Sequence, residues 1–141
     1  MSYKFIGDVA YADEAFEADG TTLEKLFESC AQAVTKTMVN NPEAIKEKEE
    51  RHIELEADEL ETLLYKFLDE VIFYKDADML IFHSFDIKID ETKSRLTAVF
   101  KGEEIDTGKH NMVVDVKAVS YHKFKLEKVK NMWKAFVVLD V

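Results

Sequence analysis

The sequence predicts an α+β fold: two helices packed on a mostly antiparallel β-sheet, forming a single domain over residues 1–141. Three observations carry this. Two segments repeat apolar residues at the helical period. Later segments alternate apolar and charged residues and fall into two hairpins. The length fits one domain, and 47% hydrophobic residues with only 4 Gly and 1 Pro set aside disordered, linker-like and collagen-like chains.

The first helix is carried by Leu23, Leu26, Phe27, Cys30, Ala31, Val34 and Met38, one apolar stripe. Thr21 and Glu24, three apart at its start, form a capping-box pattern. Asn40-Asn41-Pro42 reads as a loop, and the charge run Lys46 to Arg51 as a solvated connector. Ile53 and Leu55 alternate with charged residues in a strand. The second helix follows on Leu60, Leu63, Leu64, Phe67, Leu68, Val71 and Ile72, with Asp58 and Glu61 placed to cap it.

Phe85, Ile87 and Ile89 alternate with Asp86, Lys88 and Asp90, a half-buried strand. Glu91 to Ser94 is a turn, and Arg95 to Lys101 the return strand. Gly102-Glu103-Glu104 reads as a further turn. Val116 to Lys128 and Met132 to Val141 read as a second hairpin about Lys130-Asn131. The last strand is apolar on both faces, which predicts a central position covered on both sides.

Composition narrows the function classes. Nineteen Lys and Arg against 29 Asp and Glu give a net charge of −10, a poor basis for autonomous nucleic-acid binding. One cysteine excludes an intrachain disulfide and fits a reducing compartment. No apolar run is long enough for a membrane helix, and no basic stretch followed by an apolar run opens the chain. The expectation is a cytoplasmic protein.

No self-contained active site is legible. Cys30 lies in the helical stripe and reads as core. His52, His83, His110 and His122 form no metal-ligand pair, and neither a nucleophile elbow nor a phosphate loop is present. Two carboxylates stand out by context. Asp13 lies in the low-charge stretch Asp8 to Asp13. Asp140 closes the run Phe136 to Leu139 and shares its strand face with Phe136 and Val138. A buried carboxylate needs a cation or donors. With the carboxylate and carbonyl of Val141, these are hard oxygen donors suited to Ca²⁺ or Mg²⁺. Ordinary capping or salt bridging is the competing reading.

Four segments carry a resemblance: DVAYADEAFEADGTTLEKLFESCAQAV (Asp8 to Val34), LETLLYKFLDEVIFYKDAD (Leu60 to Asp78), HNMVVDVKAVSYH (His110 to His122) and VVLDV (Val137 to Val141). In this order they resemble the archease family, essentially end to end. The resemblance implies an accessory activator of the RtcB-type tRNA-splicing RNA ligase. Such an activator promotes guanylylation of the ligase's active-site histidine, supports multiple turnover and broadens the nucleotide triphosphates accepted. It is not itself an enzyme. The resemblance also implies a divalent metal, Ca²⁺ with Mg²⁺ or Mn²⁺ as alternatives, held by Asp13, Asp140 and a main-chain oxygen of Val141, with Lys117 supporting activation. Many archeases open with His-Thr-Ala-Asp where this chain has Ala10-Tyr11-Ala12-Asp13, so the aspartate carries over and an imidazole role does not.

Without the resemblance, Lys117 reads as a strand-surface lysine, and Tyr121 and His122 as structural or rim residues. Two other functions compete: a chaperone or interaction module for RNA-processing proteins, and a stand-alone metal-dependent phosphohydrolase. Turnover without any ligase would mark the latter.

Overall fold

The computed structural model describes residues 1–7 and 13–141. Asp8, Val9 and the Ala10-Tyr11-Ala12 stretch therefore lie outside the described residues. The elements run β1 (Ser2–Ile6), β2 (Asp13–Gly20), α1 (Leu23–Met38), β3 (Glu49–Glu56), α2 (Leu60–Asp78), β4 (Leu80–Asp90), β5 (Arg95–Glu104), β6 (Ala118–Val129) and β7 (Met132–Asp140), with a 3₁₀ turn at Pro42–Ala44. The strands form two sheets rather than one, ordered β1-β2-β7-β6 and β3-β5-β4, and every pairing is antiparallel. The α+β architecture holds, and β7 is a central strand.

Helix α1 covers the predicted span, but its cap sits one residue later. Thr22 is extended and its hydroxyl accepts from the Lys25 N–H at 3.1 Å. Glu24 instead turns to the second sheet and accepts from the Ile89 N–H at 3.2 Å. The helix is buried on more than its apolar stripe, since Ser29, Thr35 and Thr37 are also inside. Their hydroxyls donate to the carbonyls of Asp19, Phe82 and Ala33, which meets the requirement that buried polar groups be bonded. α1 packs against both β2 and β4, so it ties the two sheets together.

Helix α2 is capped differently from expectation. Glu59, not Asp58, occupies the N-cap, and its side chain makes no capping bond. The helix stops where Met79 takes a left-handed conformation, φ 55°, and returns its N–H to the Tyr74 carbonyl. The buried face, Leu63, Leu64, Phe67, Leu68, Val71 and Ile72, is the predicted one.

Two polar stretches prove to be strand. The end of the charge run, Glu49 to Arg51, belongs to β3, an edge strand, where charge on the open side discourages further pairing. Gly102 to Glu104 is no turn. It continues β5 between β3 and β4, where a Cβ on Gly102 would collide with the Ile81 carbonyl oxygen. Glycine is there because β4 steps out of register between Phe82 and Ser84 and its backbone comes in close.

One core cluster draws on both sheets and both helices. Its centre is Phe67, Phe82, Phe85 and Phe100, with ring centroids 5.2 Å apart for Phe82–Phe100 and Phe85–Phe100 and edge-to-face contacts throughout. Burying each such ring contributes about 1.5–3 kcal/mol.

Candidate metal centre

Asp13 opens β2 and Asp140 closes β7, and the two are direct cross-strand partners. Side chains opposed in this way have Cβ atoms about 4.5–5.5 Å apart. Alternation places both on the sheet face that also carries Ala15 and Val138, buried residues of the same two strands. Both aspartates are half-buried. Among the described residues no Lys, Arg or His forms an ion pair with either carboxylate. Opposed like charges are destabilising, and a hard cation between them would reverse the sign. The donor set is all oxygen, which fits Ca²⁺, Mg²⁺ or Mn²⁺ and no soft metal. No group of three His, Cys, Asp or Glu side chains converges among the described residues, so a main-chain oxygen would have to complete the set.

The other expected residues lie at the same end of the sheet. On the far side of β7, Asp140 is in register with Ala118, the first residue of β6. The Lys117 N–H donates to the Asp140 carbonyl at 2.8 Å, while its side chain is exposed. Val141 is half-buried against the core. Asp13, Lys117, Asp140 and Val141 are thus brought together by three strand ends that are remote in sequence.

Helix α2 borders this end. The Tyr65 hydroxyl donates to the Val119 carbonyl at 2.9 Å. Its ring stacks on Tyr121, centroids 4.2 Å apart and planes 9° from parallel. Burial first, then the adjacent Tyr121 and the negative charges of Asp69 and Asp140, push the Tyr65 phenol up to about 12. Tyr121 is 77% exposed. It stands on a bulge: Ser120 pairs with Val138, but the next paired residue, Lys125, meets Phe136. Lys123 turns through φ 58°, and the His122 N–H is held by the Ser120 hydroxyl at 3.0 Å. Both Tyr121 and His122 are rim residues.

Two polar groupings escaped sequence reasoning. Glu103, buried, accepts at one oxygen from the Lys46 N–H (2.6 Å), the Lys109 ammonium (2.6 Å) and the His110 ring (3.0 Å). Lys75, at the end of α2, is 6% exposed and contacts Asp115, Asp76 and the Val116 carbonyl. A buried charge inside an otherwise ordinary acidic chain has no local signature. Cys30 is core, as expected, and burial pushes its thiol up, away from nucleophile chemistry. Among the described residues no helix is long and apolar enough to cross a membrane.

A family model described as Archease protein family (MTH1598/TM1083) matches residues 3–141. The protein archease of Pyrococcus abyssi is 38% identical over 133 residues, covering 92% of this chain and 93% of that one. The protein archease of Methanothermobacter thermautotrophicus is 36% identical over 132 residues, with the same coverage of 92% and 93%. The solution structure of Methanobacterium thermoautotrophicum protein 1598 superposes with a TM-score of 0.84 at 34% identity, over 99% of this chain and 98% of that one. The crystal structure of a Thermotoga maritima archease, described as a possible chaperone, shares the fold with a TM-score of 0.63 at 22% identity, over 92% of this chain and 91% of that one.

Proposed function

Since this chain belongs to the archease family, we propose that it is an accessory activator of an RtcB-type tRNA-splicing RNA ligase, promoting guanylylation of the ligase's active-site histidine and so multiple turnover. The observation that carries this reading is the cross-strand opposition of Asp13 and Asp140. It supports a site at which those carboxylates and a main-chain oxygen of Val141 hold one divalent ion, Ca²⁺ by ligand preference and Mg²⁺ or Mn²⁺ as alternatives.

A divalent ion bound there would supply positive charge to phosphate oxygens during nucleotidyl transfer. The chain's own residues do the rest. Asp13 and Asp140 fix where that charge sits. Lys117, exposed beside Asp140, offers an ammonium to a phosphate or to a carboxylate of the ligase. The net charge of −10 speeds approach to a basic, RNA-binding partner. Nothing in this scheme asks the chain for a nucleophile, in keeping with the buried Cys30 and an accessory rather than enzymatic role.

The test is ligase guanylylation and RNA joining over many turnovers, with and without this chain. Wild type should sustain turnover, and Asp13→Ala and Asp140→Ala should each abolish the stimulation while remaining folded. Undiminished stimulation by the folded variants would sink the metal-centred reading. Binding to the ligase that survives loss of both carboxylates without stimulation would point to a chaperone or interaction role. Nucleotide hydrolysis by the isolated chain would point to a phosphohydrolase.

A further inference from the structure

We propose that Lys75 is a positioning residue: its buried ammonium fixes the Asp115–Val116 segment so that Lys117 and the Asp140 main chain meet beside the candidate metal centre. This rests on the reading of that centre given above. Lys75 lies in the last turn of α2, where a cation complements the helix dipole. Its side chain is 6% exposed, and a buried ammonium is costly unless all its protons are used. Three acceptors use them: the Asp115 carboxylate, the Asp76 carboxylate at 2.6 Å and the Val116 carbonyl at 2.8 Å. Burial works against the charge, but the Asp115 and Asp76 carboxylates outweigh it and hold the ammonium above its ordinary range.

What the ammonium grips is more informative than the fact that it is paired. Residues 113–117 belong to no helix or strand. At the near end, the Val113 N–H donates to the Met38 carbonyl at 2.8 Å. At the far end, the Lys117 N–H donates to the Asp140 carbonyl at 2.8 Å, and β6 begins with Ala118 in register with Asp140. Lys75 anchors the segment one residue before that junction. Val116 is fully buried, so the carbonyl that Lys75 holds sits on a residue that cannot swing outward. Helix α2 also holds β6 further along, through the Tyr65 hydroxyl on Val119 and the Glu61 carboxylate on the Leu126 N–H. Lys75 is the contact from α2 that reaches ahead of the strand, next to the Lys117 N–H bond and the last pairing of β7. A lysine that only finished α2 would need Asp76 alone.

The experiment is amide hydrogen exchange by NMR on wild type, Lys75→Met and Asp115→Asn, with a terbium luminescence titration on each. Asp115 has a 64% exposed side chain, so its variant keeps the question open to measurement even if Lys75→Met does not fold. The Lys117 amide should exchange about tenfold faster in Lys75→Met and severalfold faster in Asp115→Asn, while Val34 in α1 keeps its protection. Terbium affinity should fall alongside. Unchanged protection at Lys117 in the folded variants, or equal acceleration at Val34, would overturn the proposal. Exchange needs neither metal nor ligase. A wild type that binds no terbium would therefore fail the metal-centre reading, and the exchange result would still judge the tether.

Discussion

The His110 ring donates its Nε2 proton to Glu103 at 3.0 Å, because its Nδ1 is already engaged as acceptor by the Asp106 N–H at 2.9 Å. The imidazole is 1% exposed and the acceptor nearly as buried. Lys109 and the Lys46 N–H share the same carboxylate oxygen, so this group staples the loop after β5 to the segment before β3.

Acid should release that staple. Burial works to raise the Glu103 carboxyl, but the bonds from Lys109, the Lys46 N–H and His110 outweigh it and hold the group at about 2, below its ordinary 4.5. A depressed carboxyl stabilises the fold fully above its unfolded value, and that contribution is lost as pH falls from 4.5 toward 2. Thermal melts across this range should show wild type losing stability faster than Glu103→Gln. At pH 7 the variant should be less stable by about 2–3 kcal/mol. Parallel pH profiles would refute the assignment.

Removing either carboxylate of the opposed pair should relieve repulsion in metal-free protein. Asp13→Asn and Asp140→Asn should melt at or slightly above wild type in excess chelator, a gain of up to about 1 kcal/mol. Added calcium should raise the wild-type melting temperature by mass action and leave both variants unmoved. Differential scanning fluorimetry with and without calcium reads both effects, and equal calcium shifts in all three proteins would contradict the assignment of ligands.

Gly102→Ala should be strongly destabilising. Its Cβ would meet the Ile81 carbonyl oxygen and the Phe82 Cα, both backbone atoms that can move only if β4 moves. Urea unfolding should show a loss of about 3 kcal/mol or more, at the upper end of overpacking costs. A loss under 1 kcal/mol would mean that the β4 step relaxes freely.

Tyr121→Ala should lower the pH at which Tyr65 ionises. Burial is the largest cause of the raised phenol, and Tyr121 supplies a covering ring and a negative charge at high pH. Ultraviolet titration of the phenolate should show the highest-pH tyrosine transition moving down. Stability should fall by only about 0.5–1.5 kcal/mol, the worth of one aromatic pair. An unmoved transition would indicate that the stack does not persist in solution.

Local pattern made some of this fold legible and left the rest to register. α1 and α2 are readable because an apolar stripe of seven residues in each leaves a periodic trace, and β7 because it is apolar on both sides. The α1 cap lies one residue later than read because Thr21 and Thr22 are adjacent and equally suited to the role. β2 was missed: DEAFEADG has the alternation of Phe16 and Ala18 but few β-formers, and it is a strand because β1 and β7 pair with it on both sides. The strand through Ile53 and Leu55 is legible, but the tail of the charge run hides its start at Glu49 to Arg51, since an exposed edge tolerates charge. Asp13 and Asp140 were each conspicuous in sequence, but their meeting depends on long-range pairing that spacing does not encode. Lys75 and Glu103 were invisible for the same reason.

The bulge at Tyr121 also interrupts an open sheet edge. β6 is an outer strand of its sheet, and beyond the Val119 carbonyl and Leu126 N–H that α2 engages it still offers amides and carbonyls to another molecule. A kink after Ser120, with a left-handed residue inside it, interrupts that row before an incoming strand could zip along it. Straightening the edge by deletion would extend that row into a template for fibrous self-assembly.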